Sequence, residues 1–313
     1  MRILCTALAC MLTLGVSVDR SAEAVATADA PLIDAVRSGD VPAVRALLDQ
    51  GIDVDGAGGD GSTPLQWAVH EDRAALVELL LGAGADATAT NRYGVGPAAL
   101  AAENGNASIL ERLLDAGADP NATMPGGETL LMTAARTGDA DTVRVLLARG
   151  VDPNAREDAR GQTALMWAAA HNNAAAIHTL AEQGADIHAR TDNPSRNAGR
   201  GFSSAPATGF TPLLFAVRAG HLDATRVLLD AGADVNDAVS DGQSALVVAA
   251  ANANWELAAY LLDRGADPNH AEAGWNALHQ TVRTRRMNVG FGTPGPFAAG
   301  TLDSIDLIRK LIT

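Results

Sequence analysis

Apolar residues recur along this chain in two alternating blocks. One block sets a leucine three residues before an alanine: Leu65 and Ala68, Leu131 and Ala134, Leu165 and Ala168, Leu213 and Ala216, Leu246 and Ala249. The other is a leucine pair: Leu47-Leu48, Leu80-Leu81, Leu113-Leu114, Leu146-Leu147, Leu228-Leu229, Leu261-Leu262. A three-residue step returns to the same face of a helix, whereas a half-buried strand needs strict alternation. Each block therefore predicts a short helix. The alanine lets a neighbouring helix approach closely, and the leucines point into whatever the helix packs against.

Polar and small residues punctuate these blocks. Thr63, Thr129, Thr163 and Thr211 stand where the first helix of each pair should begin, and their hydroxyls can accept from free backbone N–H groups. Pro64 and Pro212 follow at the first helical position, where a missing N–H costs little. Gly51, Gly84, Gly117, Gly150, Gly184, Gly232 and Gly265 come after the second helix and can end it. Their spacings are 33, 33, 33, 34, 48 and 33 residues. The glycines that open each unit (Gly61, Gly94, Gly127, Gly161, Gly209, Gly242, Gly274) step by 33, 33, 34, 48, 33 and 32. Two rulers agree, including on the single long step.

A helix-turn-helix plus turn at a period of 33 resembles the ankyrin repeat family. The resemblance runs from about Pro31 to Thr313, and GFTPLLFAVRAGHLDATRVLLDAGADVN (Gly209–Asn236) follows the family phrase almost residue for residue. It implies an all-α solenoid of about eight helix-turn-helix units with short β-hairpin-like connections. One helix pair cannot bury its own apolar face, and stacking supplies the continuous core.

Departures from the repeat are informative. The third unit has Gly96 for the capping threonine and Ala98 for the leucine, so its core should be thinner. An insertion near 191–208, rich in Ser, Asn, Gly and Pro, extends one hairpin as an expected mobile loop. A second insertion, near 284–301, separates the two helices of the eighth unit. Leu311-Ile312 matches the leucine pair, yet the helix-ending glycine and a polar capping repeat do not follow before Thr313. The repeat domain at 31–313 therefore reads as truncated at its C-terminus.

Residues 1–30 read as a signal peptide and leader. Arg2 precedes a mostly apolar run, Ile3 to Val18, that is short for a bilayer span. Ser21-Ala22-Glu23-Ala24 and Ala28-Asp29-Ala30 offer cleavage sites between small residues. The competing reading is a cytosolic protein with an apolar tail. Cys10 loosely fits a lipidation box, although the leucine before it stands one place off. Both cysteines, Cys5 and Cys10, lie in this leader, so the mature chain would have no disulfide. The expected product is a bacterial periplasmic or secreted protein, monomeric, with no stable membrane insertion after cleavage. A net charge of −14 argues against a nucleic-acid partner, because phosphate binding needs clustered Lys and Arg.

Catalytic spacing is sparse. His70-Glu71 begins like a zinc-protease helix, but no histidine falls four residues on. There is no G-x-S-x-G elbow and no P-loop, and no cofactor is expected. Asp53, Asp86, Asp119, Asp152, Asp186, Asp234 and Asp267 share one framework position, which predicts turn carboxylates bonded to local N–H groups. His171, His178, His188, His221, His270 and His279 scatter over the repeat, and are expected to be solvated or bonded in turns.

The resemblance implies binding of a protein partner on a concave face built from hairpin tips and first helices. On that mapping the tips carry Arg92, Tyr93, Met124, Arg156, Arg160 and Trp275. The first helices carry Trp67, His70, Glu103, Met132, Arg136, Trp167, His171, Phe215 and Arg218. Aromatics and arginine dominate interface energetics, but Trp67, Trp167 and Phe215 fit equally well as packing between adjacent helices. Arg283, Arg285 and Arg286 beside Phe291 and Phe297 form a local basic-aromatic patch that could dock a partner or be a solvated loop. The expected role is a non-enzymatic protein–protein interaction scaffold. The alternative is a targeting or substrate-recruiting part of a larger enzyme or electron-transfer protein, with its catalytic domain beyond residue 313.

Overall fold

A computed structural model of the chain describes residues 30–192, 208–271, 274–286 and 301–313. Among them are sixteen helices and no strand. The helices pair in chain order. The pairs are α1 (Ala30–Ser38) with α2 (Val41–Asp49), α3 (Pro64–His70) with α4 (Ala74–Gly82), and α5 (Pro97–Asn104) with α6 (Ala107–Asp115). There follow α7 (Leu130–Thr137) with α8 (Ala140–Ala148), α9 (Ala164–Ala170) with α10 (Ala174–Glu182), and α11 (Pro212–Ala219) with α12 (Leu222–Asp230). The last are α13 (Ala245–Ala251) with α14 (Trp255–Asp263), and α15 (Ala277–Arg286) with α16 (Ser304–Ile312).

Each first helix packs on the first helix of the next pair, so the odd-numbered helices form one row and the even-numbered helices a second. Leu65, Leu131, Leu165, Leu213 and Leu246 are essentially inaccessible, and the alanine three residues after each is wholly buried. In the second row, Leu80, Leu113, Leu146, Leu228 and Leu261 are sealed in turn. Burying one such leucine contributes about 1.5–3 kcal/mol of transfer free energy. Among the described residues no helix exceeds ten residues, so none would hold alone. Interlocking rows hold them.

Helices start directly after all four threonines, three of which cap them with their side chains. Thr63 and Gln66 form a reciprocal capping box: Gln66 N–H donates to Thr63 Oγ1 at 3.3 Å, and Thr63 N–H donates to Gln66 Oε1 at 2.7 Å. Thr129 and Thr211 accept from Met132 N–H and Leu214 N–H at 3.2 and 3.3 Å. Thr163 occupies the same position but makes no capping bond, and its hydroxyl oxygen is buried without a partner. The glycines that end the second helices have φ between +80° and +104°, a region a side chain would strain.

The framework aspartates close the turns. Each of the seven accepts from the backbone N–H two residues on, at 2.8–3.1 Å. Some turns also reach the next hairpin. Asp55, Asn154 and Asn236 accept from the backbone N–H of Asp86, Asp186 and Asp267 at 2.9, 2.7 and 2.8 Å. Isolated antiparallel bridges at Thr123–Thr129 and Ala238–Ser244 give two connections a hairpin character.

The third unit is thin, as Gly96 and Ala98 predict. A cavity of about 90 Å³ lies against Ala98, Ala99, Met124 and Leu130. In the eighth unit α15 ends at Arg286 and α16 begins at Ser304, with residues 287–300 outside the described set. The insertion near 191–208 also lies largely outside it. α16 is anchored by Leu307, which is fully buried, and by Glu256, whose Oε1 accepts from Thr301 N–H and Oγ1 at 2.6 and 2.8 Å. No helix among the described residues is long and apolar enough to cross a membrane.

Candidate functional site

The register that sets the fold also gathers the polar side chains of the first row. Trp67, on α3, is half-buried; the Arg37 guanidinium of α1 lies 4.7 Å above its ring, and exposed His70 meets it edge-on at 5.9 Å. On α7, Arg136 pairs with Glu103 of α5 at 3.4 Å. On α9, Trp167 is half-buried with its indole N–H enclosed and unpartnered, and exposed His171, just past the helix, donates from Nδ1 to Trp167 O at 2.9 Å. On α11, Phe215 is buried against Phe210 at 5.5 Å, and Arg218 covers both rings at 5.2 and 4.6 Å.

Hairpin tips extend this face. Tyr93 is 69% exposed and Trp275 is 48% exposed. Arg92 N–H donates to Asp60 O at 3.1 Å. Hydrogen bonds from Ser62 hold the Asp60 carboxyl below its ordinary range, with the Arg92 charge a lesser cause. Arg156 is tied to Asp192 at 2.9 Å and also donates to Arg190 O. Arg160 is exposed, and its carbonyl accepts from Asp192 N–H at 2.8 Å. Trp275 packs edge-on against His279 at 5.8 Å, under Arg283 at 5.9 Å.

Met132 corrects the expected assignment. It is fully buried in α7 and offers the face nothing; Met124, half-buried on the preceding hairpin, is the methionine that reaches the surface. Helix α7 holds eight residues, and capping at Thr129 turns Met132 inward, beside Leu130 and Leu131 in the core. Phe215 is likewise a packing residue, one of the two roles its position allowed. Arg285 and Arg286 continue α15, while their side chains, and Phe291 and Phe297, lie outside the described residues.

Three contributors escaped sequence reasoning. Arg37 stands 33 residues before His70, so one backward step of the register leads to it. Phe210 follows an opening glycine where other units have Ser, Val, Glu, Gln or Trp. His279 joins Trp275 because one helical turn separates them. Of the remaining histidines, His221 meets Ala170 O at 3.1 Å and His270 meets Gly242 O at 3.2 Å, while His178 lies 3.4 Å from Glu182 on the same helix. Among the described residues no three His, Cys, Asp or Glu side chains converge as a metal site requires.

Paired helices stacked in two rows, joined by hairpins, define a helical repeat solenoid. The chain belongs to the ankyrin repeat family: the family model for ankyrin repeats matches three stretches, residues 6–91, 98–191 and 196–272. Ankyrin repeats are in general protein–protein interaction modules and are typically non-catalytic. No curated protein matches the chain.

Proposed function

We propose that first-row helices and hairpin tips form the partner-binding groove of a monomeric, exported interaction scaffold, periplasmic or secreted, released from a leader within residues 1–30. One observation carries the reading. The two large aromatic side chains left exposed among the described residues, Tyr93 and Trp275, both stand on hairpin tips of this side. A solvated aromatic loses water at little entropic cost when a partner covers it. Stacked helices about 8–10 Å apart give a groove on the order of 70 Å long. That accommodates a standard interface of about 1,600 Å².

The test uses a partner recovered from the exported fraction and its affinity for the purified full chain. Tyr93→Ala and Trp275→Ala should each weaken binding at least tenfold, and Glu111→Ala, exposed on second-row α6, should leave it unchanged. Repeated failure to recover a partner counts against the reading, as does affinity that depends on the second row alone. Export is tested separately by the N-terminal mass of the chain in the same fraction.

A further inference from the structure

One register position carries charge along the whole first row. It lies nine residues after each opening glycine and reads His70, Glu103, Arg136, Arg218 and Arg283, with alanine in the two remaining units. Arg37 extends the column by one unit, 33 residues before His70. Five of these six side chains are exposed, and Arg136 is half-buried. The one carboxylate in the column, Glu103, pairs with Arg136 at 3.4 Å. The other three arginines lie on aromatic rings: Arg37 is 4.7 Å from the centre of Trp67, Arg218 is 4.6 Å from that of Phe210, and Arg283 is 5.9 Å from that of Trp275. None of the three has a carboxylate within ion-pair distance among the described residues.

Second-row arginines are used differently. Arg112 meets Glu78, Arg144 meets Asp141, Arg226 meets Asp223 and Arg309 meets Asp306. Arg45 on α2 is the exception there, and Arg92 and Arg160, also without an ion pair, stand on hairpin tips. The imbalance extends to whole rows. First-row helices hold six arginines and two carboxylates, whereas second-row helices hold six cations and eleven carboxylates. The net charge of the chain is −14, so its negative charge lies on the second row and in the turns and hairpins. The first-row helices are a positive strip set in an acidic surface.

We propose that this arginine column is the electrostatic floor of the groove, and that the partner is a protein presenting a line of carboxylates along the stack; this rests on the groove reading above. A guanidinium resting on a ring keeps its N–H edge free, and that edge fits a carboxylate bidentately. The ring also holds the side chain in place, so less freedom is lost when a carboxylate arrives. Stacked helices about 8–10 Å apart space the column, so its free arginines are reached together only by a partner that runs along several units. The strip is one side chain wide, with carboxylates on the second row behind it. A narrow line of carboxylates fits such a strip, whereas a nucleic acid or an anionic membrane presents charge in breadth and is repelled on either side.

The experiment measures fluorescence anisotropy of end-labelled poly-L-glutamate, fifty residues long, on the full chain at 50 mM salt. Arg37→Gln, Arg218→Gln and Arg283→Gln combined should weaken binding at least tenfold. Arg144→Gln, Arg226→Gln and Arg309→Gln combined remove the same charge from the second row and should change it less than twofold. Glu103→Gln, which frees Arg136, should tighten binding at least twofold, a gain that loss of folding does not produce. Equal losses from the two triple variants overturn the column, as does an unchanged or weaker affinity with Glu103→Gln. Failure of the polymer to bind below millimolar concentration overturns it too. Tighter arginine-dependent binding of oligothymidylate or of phosphatidylserine vesicles than of poly-glutamate overturns it as well. Any of these results removes the acidic partner and leaves the groove to be judged by Tyr93→Ala and Trp275→Ala against the recovered partner.

Discussion

The side-chain oxygen of Asn154 accepts a hydrogen bond from the backbone N–H of Asp186 at 2.7 Å, joining one hairpin to the next across 32 residues of sequence. Its amide nitrogen donates to Gly184 O at 3.1 Å, so one side chain ties two backbone groups of the following unit. Asn121 holds the equivalent place one unit earlier and makes no such bridge among the described residues. Asn154→Ala should cost about 1–2 kcal/mol, and Asn121→Ala under about 0.5 kcal/mol. Urea denaturation of the two variants checks the difference.

Thr63 and Thr163 look alike in sequence and differ in the fold. Thr63→Val removes a capping box and should cost about 1–2 kcal/mol. Thr163→Val removes a buried oxygen that bonds nothing. It should fall within about 0.5 kcal/mol of the parent or stabilise slightly. Thermal melts that showed equal losses would contradict this division.

Ala98 lines the cavity of about 90 Å³ where other units carry leucine. Ala98→Leu fills that space with the residue the repeat prefers and should add about 0.5–2 kcal/mol. A loss of stability, read from the denaturation midpoint, would show that the neighbouring helices cannot make room.

Hydrogen bonds from Thr301 hold the exposed Glu256 carboxyl below its ordinary pKa. A depressed folded value means its contribution is present above the unfolded value, near 4.3, and is lost as pH falls through the folded value. Glu256→Gln should therefore be less stable than the parent at pH 7, with hydrogen exchange in α16 faster, and the gap should close below about pH 4. A gap that persisted unchanged at pH 3 would contradict the assigned contact.

The framework was legible because each landmark has one physical job repeated many times. Leu65 and Leu213 are buried for the same reason, and the aspartates bond the same N–H position in every turn. The candidate face was legible as a face and less so residue by residue. Met132 and Met124 lie eight positions apart in one unit, and composition does not say which points inward. Arg156 and Arg160 sit on one tip, yet only Arg156 finds a carboxylate, because Asp192 arrives from the next hairpin. Thr163 shares its pattern with Thr63 but lacks the Gln66 that completes the box. The Arg156 pairing comes from a contact 36 residues away, beyond any local motif.

A photoreactive residue placed singly along the chain tests the central claim most directly. Position 93 or 275, on the hairpin side, should crosslink a partner protein in living cells, and position 111 or 144, on the second row, should not. Crosslinks from the second row alone, with positions 93 and 275 silent, would contradict the account.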